Sequence, residues 1–205
     1  AGNPLTLIPA LCKQHHIRYI AGSYNSGLNE YRQWQRLTDQ LGAEVLLAHQ
    51  NTLWTSQQLP FSLHQLPKQF TPFRSQVEEL AVHDPISLSE RLNLCQPVQS
   101  PDNTLNFEQL PQPCLYHAHA PFTGGEDAGW QQLHQYLWKS RQIEYYKQTR
   151  NELDGWQNSS RLSPWLALGC LSPRQIWADI AQYETELCAN ESTAWLKFEL
   201  LWREF

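Results

Sequence analysis

The residues from Ser159 to Arg174, which read SSRLSPWLALGCLSPR, have the types and spacing of a phosphate-binding loop. Two Ser-Pro pairs, Ser163-Pro164 and Ser172-Pro173, stand where helices are predicted to begin. Serine is a favoured N-cap and proline a favoured first helical residue, because the N–H that proline lacks would be unpaired there. Hydroxyls beside exposed N–H groups at a helix N-terminus are suited to holding a phosphate. The alternative is an ordinary capped helix that binds only water.

A second group of residues suited to ligand binding is Glu199, Trp202 and Arg203. They are three and four residues apart, so on one helix they share a face. A base taken out of a nucleic-acid stack needs an aromatic ring to stack on and a polar group for its pairing edge. Trp202 and Glu199 supply these two groups. The alternative is structural, with a Glu199–Arg203 ion pair on a surface helix beside a core tryptophan.

A third pair, Tyr146 and Arg150, is four residues apart and therefore also shares a helical face. The several donors of a guanidinium suit a phosphate. Residues 130–174 hold six Lys and Arg against three Asp and Glu, in a chain whose net charge is −5. A phosphate-facing surface needs such a local excess, although a solvated helix face has the same charge pattern.

The elements that must position these residues are predicted to be helices, from about Glu126 onward. Leu133 and Leu137 begin an apolar stripe at helical spacing. Ser172 and Gln175 fit a capping box, in which each side chain bonds the backbone N–H of the other. Capped helices are predicted over residues 164–168, 173–187 and 192–205.

The first 54 residues have a different pattern, which predicts an α/β layer. Helical spacing over 5–15 and 28–41 alternates with short apolar strands at 17–21 and 44–48. Strand–helix–strand order implies a parallel sheet with a right-handed crossover. Neither strand leads into a G-x-G-x-x-G turn, so no dinucleotide fingerprint is present.

Residues 55–129 hold nine of the thirteen prolines and show little periodicity. This composition predicts a long connector with one helix at 72–80. The predicted organisation is therefore an α/β part at 1–54, a connector at 55–129 and a helical part at 130–205.

Composition and cysteine usage narrow the class of protein. Charged residues make up 17% and apolar residues 41%, and no stretch has the length needed to cross a bilayer. With no signal-peptide pattern at the start, we expect a cytoplasmic chain without a membrane partner. The five cysteines are widely spaced and lack a C-x-x-C pair, which favours reduced thiols over a disulfide framework or zinc site. His117 and His119 have no third ligand nearby, so no metal site is predicted.

Across residues 122–205 the sequence resembles the photolyase/cryptochrome family. The flavin-phosphate loop of that family reads roughly T/S-S-x-L-S-P, followed by a short helix, a glycine and L/I-S-x-R, and residues 159–174 fit this pattern. FTGGE at 122–126 and ELLWREF at 199–205 agree in the order of the family, and the wording is most like the DASH cryptochrome branch. The resemblance implies a partial Rossmann-like α/β antenna domain, a long connector and the beginning of an all-α FAD-binding domain.

The resemblance also implies roles for individual residues. The implied flavin-binding residues are Tyr146, Ser159, Ser160, Arg161, Leu162 and Ser163. Glu199 is implied to hydrogen-bond the carbonyls of a pyrimidine dimer, and Trp202 to stack on that dimer. Arg203 lies beside them, and Arg150 faces a DNA phosphate. No folate antenna site is assigned, because residues 23–30 do not place the acidic residue that many relatives use.

The implied activity is light-driven, FAD-dependent repair of cyclobutane pyrimidine dimers, with the DASH preference for single-stranded DNA. Two alternatives stay open: a blue-light photoreceptor that binds DNA without repair, and an incomplete remnant without cofactor. Because proteins of the family are more than twice as long, we expect an internal fragment. The flavin-binding residues and tryptophan chain of the family beyond position 205 are absent, so the fragment alone is expected to be inactive.

Overall fold

The computed structural model describes residues 3–24, 27–49, 51–85 and 122–205. Their contacts group into two units, the first within residues 3–47 and the second formed by 48–85 together with 122–205 (Ser23 and Tyr24 group with the second). Cys95, Cys114, His117 and His119 lie outside the described residues.

The α/β part contains two helices and two strands. These are α1 (Pro4–His15), β1 (Tyr19–Ser23), α2 (Leu28–Gln40) and β2 (Glu44–Ala48). The strands pair in parallel, since the N–H of Glu44 donates to Arg18 at one end and the N–H of Tyr24 donates to Ala48 at the other, both at 2.9 Å. The predicted fold class, an α/β part followed by helices, is confirmed, with the first strand two residues later than predicted.

The apolar face predicted for α2 is largely open to solvent. Leu37 is buried, whereas Leu28 and Tyr31 are exposed, and Leu46 and Leu47 of β2 are exposed as well. A parallel sheet is normally covered on both faces. Helical spacing therefore predicted which side chains share a face, but it did not predict what covers that face.

The second unit is helical. Its helices are α3 (Phe70–Val77), α4 (Glu126–His134), α5 (Tyr146–Thr149), α6 (Ser163–Ala167), α7 (Pro173–Glu186) and α8 (Glu191–Glu204). A π-helical turn at Gln135–Lys139 continues α4, and three short 3-10 helices lie at Leu63–Gln65, Gln142–Tyr145 and Trp156–Asn158. Across 122–205, all described, no strand forms.

The predicted connector contributes to the core of this helical unit. Phe70, Phe73 and Val77 of the connector are buried in one cluster with the apolar residues of the later helices, and so are Leu53 and Trp54 just before it. The predicted helix at 72–80 begins and ends earlier, at 70–77, because its buried residues follow the spacing i, i+3, i+7 from Phe70. The domain boundaries at 54 and 129 stay a prediction.

The helix caps differ in part from those predicted. The capping box of α7 forms, with the N–H of Gln175 donating to Ser172 Oγ at 3.1 Å and the N–H of Ser172 donating to Gln175 Oε1 at 2.8 Å. The predicted N-cap role of Ser163 is wrong, since Ser163 is the first residue of α6 and its side chain makes no capping bond. Helix α8 starts one residue earlier than predicted, because Asn190 caps it through N–H groups of Ser192 and Thr193.

We expect the Ser172→Ala substitution to lower the free energy of unfolding by about 1 kcal/mol, because it removes a formed N-cap bond. Ser163→Ala, at a position without a cap bond, should leave that free energy nearly unchanged. Urea unfolding followed by circular dichroism measures both. Equal losses in the two variants would contradict the assignment of the cap to Ser172.

Three further properties concern the described residues alone. None of their helices is both long and apolar enough to span a membrane. No group of three or more His, Cys, Asp or Glu side chains among them is placed to hold a metal ion. Cys12, Cys170 and Cys188 are free thiols.

Candidate functional site

The loop Ser159–Ser163 is held in a defined conformation between a 3-10 helix and α6. Arg161 adopts the left-handed region at φ 57°, and its guanidinium donates to the carbonyl of Gly155 at 3.2 Å. The same guanidinium lies over the ring of Trp156, 5.3 Å from its centroid, which is within the distance of about 6 Å for a cation–π contact. The carbonyl of Ser160 accepts a bond from Gln132 Nε2 at 3.1 Å. The backbone of the loop is therefore fixed by side chains on both sides.

The donor groups of this loop fit a phosphate. The hydroxyls of Ser159, Ser160 and Ser163 have no hydrogen-bond partner among the described residues, and Ser160 is buried. A hydroxyl donates one hydrogen bond, and bonds to an ionised acceptor are about twice as strong as neutral ones. Three hydroxyls within five residues, each without a partner among the described residues, could therefore donate to a pyrophosphate.

Tyr146, at the start of α5, is buried. Its ring meets that of Tyr136 edge-on, with ring centroids 6.4 Å apart. Burial raises the pKa of Tyr146 to about 12, and the nearby negative charge of Glu199 adds to this. The phenol is therefore neutral and able to donate a hydrogen bond at any physiological pH.

Tyr136 was not predicted as a site residue. It is fully buried in the π-helical turn, and its hydroxyl has no partner among the described residues. Burial is the main cause that raises its pKa, followed by Tyr146. An unpaired buried hydroxyl is costly unless a ligand or water pairs with it. The apolar stripe from Leu133 predicted a helix here, but it could not predict that the hydroxyl of Tyr136 would be unpaired.

Arg150 and Glu199 form an ion pair that the sequence did not predict. Arg150 Nη1 donates to Glu199 Oε1 at 2.5 Å, and Trp195 Nε1 donates to the same oxygen at 3.0 Å. The guanidinium of Arg150 also lies over the Trp195 ring at 5.1 Å. The pair predicted as the structural alternative, Glu199–Arg203, is not formed. The second oxygen of Glu199, Oε2, has no hydrogen-bond partner among the described residues.

Trp202 is neither a core residue nor an isolated surface ring. It is 46% exposed, and its ring stacks on that of Phe70 with centroids 3.6 Å apart and planes 11° from parallel. Phe198 and Phe205 meet it at steep angles, each 6.4 Å away. Phe70 was missed because it lies in the proline-rich connector, far along the chain from α8.

Arg203 and Glu204 end α8 against the segment 51–54. Arg203 Nη1 donates to the carbonyl of Asn51. Glu204, 5% exposed at its side chain, interacts with the backbone N–H groups of Leu53 and Trp54. Its Oε1 accepts no hydrogen bond among the described residues and lies 3.9 Å from Arg203 Nη1. These contacts tie the segment just before the predicted connector to the helix that carries Glu199 and Trp202.

The short helix α5 links the loop to α8. Thr149 Oγ1, at its end, donates to the carbonyl of Asn158 at 2.8 Å, one residue before the loop. The N–H of Lys147 donates to Ser192 Oγ at 3.1 Å, in the first turn of α8. Helix α5, which carries Tyr146 and Arg150, therefore contacts both the segment just before the Ser159–Ser163 loop and the first turn of α8.

Comparison with known proteins finds curated relatives that are named cryptochrome DASH. No protein-family model matches the chain. A cryptochrome DASH of Synechocystis sp. is 37% identical over 214 residues, which cover all of this chain and 43% of the relative. A chloroplastic/mitochondrial cryptochrome DASH of Arabidopsis thaliana is 32% identical, covering all of this chain and 37% of the relative. The chain thus spans less than half the length of these curated relatives.

Two solved structures, a cryptochrome and a photolyase, also match this chain. The crystal structure of a Synechocystis sp. PCC6803 cryptochrome matches with a TM-score of 0.81 at 36% identity, covering 98% of this chain and 43% of that protein. A class III photolyase from Agrobacterium tumefaciens matches with a TM-score of 0.77 at 20% identity, covering all of this chain and 43% of that protein. The second likeness is one of fold alone.

Proposed function

The chain belongs to the photolyase/cryptochrome family and is most like its DASH branch, and from this premise we propose that it forms part of an FAD-dependent photolyase. Its substrate would be DNA that contains cyclobutane pyrimidine dimers. The observation that carries the proposal is that α5 contacts both the segment just before the hydroxyl-rich loop and the first turn of the helix that carries Glu199 and Trp202.

The cofactor would be held by residues of the loop and of α5. The free hydroxyls of Ser159, Ser160 and Ser163 would donate to the pyrophosphate of FAD, with Arg161 adding positive charge. Leu162, buried at the start of α6, fixes the backbone of the loop. Reduced FAD, when bound, would supply the light-driven electron that splits the dimer.

Tyr146 would contact the flavin. Its buried, neutral phenol is a fixed donor rather than a titrating group. Because its ring packs edge-on against Tyr136, its orientation is set before any ligand binds.

The lesion would be bound by α8. Trp202 presents an aromatic ring on which a flipped base stacks. Oε2 of Glu199 has no hydrogen-bond partner among the described residues and would accept a hydrogen bond from a base N–H. Arg150 and Arg203 would bind backbone phosphates, which gives affinity without sequence preference. A single strand is the favoured substrate, because a lesion there needs no unpairing before it is flipped.

The test is repair under blue light by the protein that contains this chain, loaded with FAD. An oligonucleotide with one cyclobutane thymine dimer is incubated in light and in darkness, and intact thymines are measured by chromatography. Repair in light only, faster on the single strand than on the duplex, is the expected result. If the protein binds FAD and DNA but does not repair the dimer, the proposed repair activity is wrong and a photoreceptor role is favoured. If the protein shows no flavin absorption, a remnant without cofactor is favoured.

We expect Ser163→Ala to lower the affinity for FAD about tenfold, because it removes one hydroxyl bond to a charged phosphate. Since Ser163 caps no helix, the free energy of unfolding of the protein without cofactor should stay nearly unchanged. Quenching of flavin fluorescence on titration measures the affinity. Ser172→Ala is the matched control, expected to lose stability and keep FAD affinity. Unchanged FAD affinity in Ser163→Ala would remove Ser163 from the cofactor site.

A further inference from the structure

Phe70 and Trp202 form a parallel aromatic stack that joins α3 to α8. Their ring centroids are 3.6 Å apart and their planes differ by 11°, so one face of the indole is covered by the phenyl ring. Such closely stacked rings are in van der Waals contact over much of their area. The 46% of Trp202 that is exposed therefore lies away from Phe70.

The phenyl ring beneath the indole is itself firmly held. Phe70 is 8% exposed and contacts three further rings, those of Phe73 at 6.4 Å, Phe198 at 5.4 Å and Phe205 at 5.9 Å. Phe73 and Val77 anchor α3 in the core of the helical unit. The indole thus rests on a buried support rather than on a mobile surface chain.

A supported ring binds a flat ligand better than a free one. A free surface tryptophan samples several rotamers, and stacking a base on it would freeze them at a cost in affinity. Contact with Phe70 on one face, and with Phe198 and Phe205 at steep angles, selects one orientation in advance. The outer face then remains available to a base.

We propose that Phe70 is a positioning residue for lesion recognition, which holds Trp202 with its outer face open to a flipped pyrimidine dimer. This inference rests on the proposed role of Trp202 in dimer binding. It assigns to the predicted connector a part in substrate discrimination that its own sequence does not suggest. Phe70 touches no substrate itself and acts through the indole.

The test compares Phe70→Leu with Phe73→Leu in the FAD-loaded protein that contains this chain. Both remove a buried ring of the same helix, but only Phe70 has a ring contact with Trp202. The measured quantity is the ratio of dissociation constants for an undamaged single strand and for the same strand with one thymine dimer. Phe70→Leu is expected to lower this ratio about three- to tenfold, the effect of losing one preset rotamer. Phe73→Leu, whose ring is more buried, should lose stability and keep the ratio within about twofold. Phe70→Tyr, which keeps the ring, should retain the ratio.

A second measurement follows the indole without DNA. With 5-fluorotryptophan incorporated, the fluorine NMR signal of Trp202 is assigned by its absence in Trp202→Phe. This signal should shift in Phe70→Leu, because the ring current of Phe70 is gone, and move less in Phe73→Leu. If Phe70→Leu does not fold, Phe70→Met replaces it, since methionine fills irregular core space without a ring.

The outcomes separate this inference from the proposed function. If Trp202→Ala lowers the ratio but Phe70→Leu leaves it unchanged, Phe70 is only a core residue and the inference is wrong. If Phe70→Leu and Phe73→Leu lower the ratio equally, general loosening is the cause and the inference is again wrong. If Trp202→Ala itself leaves the ratio unchanged, it is the proposed lesion site that fails.

Discussion

Replacing Trp202 with alanine is expected to lower the affinity of the FAD-loaded protein for dimer-containing DNA by about tenfold or more. Stacking of a base on an aromatic side chain contributes about 1–3 kcal/mol in single-strand binders, and 1.4 kcal/mol is a factor of ten. The half-exposed ring of Trp202 is placed to supply this contact. Affinity for undamaged DNA should hardly change, because its contacts are largely to phosphates.

Fluorescence anisotropy with matched damaged and undamaged single strands measures both affinities. Trp177→Ala is the control, since Trp177 is a partly buried tryptophan of α7 that packs on the core of the helical unit and has no ring contact with Trp202 among the described residues. Both variants lose aromatic packing, but only Trp202→Ala should lose discrimination between the two strands. If Trp202→Ala mainly unfolds the protein and the folded fraction still discriminates, Trp202 is a packing residue and the lesion site is wrong.

Local sequence signals predicted most of the elements of the fold. The helices α7 and α8 follow from apolar spacing and from capping residues, and the box of Ser172 with Gln175 forms as predicted. The observed starts of helices α6 and α8 differ from the predicted ones. Ser163 is not an N-cap because α6 begins one residue earlier than its Ser-Pro pair suggested, and α8 begins at Glu191 rather than Ser192 because Asn190 caps it.

The partners of the site residues were harder to predict. Spacing on one helix suggested a Glu199–Arg203 pair, yet Glu199 pairs with Arg150 of another helix and Arg203 reaches the carbonyl of Asn51. An i,i+4 pair contributes only about 0.3–0.5 kcal/mol, so tertiary contacts override it easily. For the same reason Phe70 could not be found from the sequence: its stacking partner is more than 130 residues away, and no local pattern records that contact.

The buried carboxyl of Glu204 makes the stability of the helical unit depend on pH. Burial is the main cause that raises its pKa, from an ordinary value of 4.5 to about 7. The N–H groups of Leu53 and Trp54 and the charges of Arg203 and Arg174 act in the opposite direction, without cancelling the effect of burial. Across this window the folded state binds more protons than the unfolded state, so stability falls as pH rises.

We therefore compare the free energy of unfolding of the unsubstituted protein with that of Glu204→Gln. The difference, unsubstituted protein minus variant, should be largest near pH 4.5 and should fall as the pH rises to about 7. The decline of this difference is about 3 kcal/mol, because each unit of pKa shift corresponds to about 1.4 kcal/mol. Glutamine keeps a carbonyl oxygen for the backbone N–H groups of Leu53 and Trp54 but has no proton to lose. Urea unfolding of both proteins at several pH values between 4.5 and 8 measures the difference. Glu186→Gln, on the exposed face of α7, is the control and should track the unsubstituted protein at every pH. A constant difference between the unsubstituted protein and Glu204→Gln over this range would mean that Glu204 is ionised throughout, with its charge fully balanced by Arg174 and Arg203.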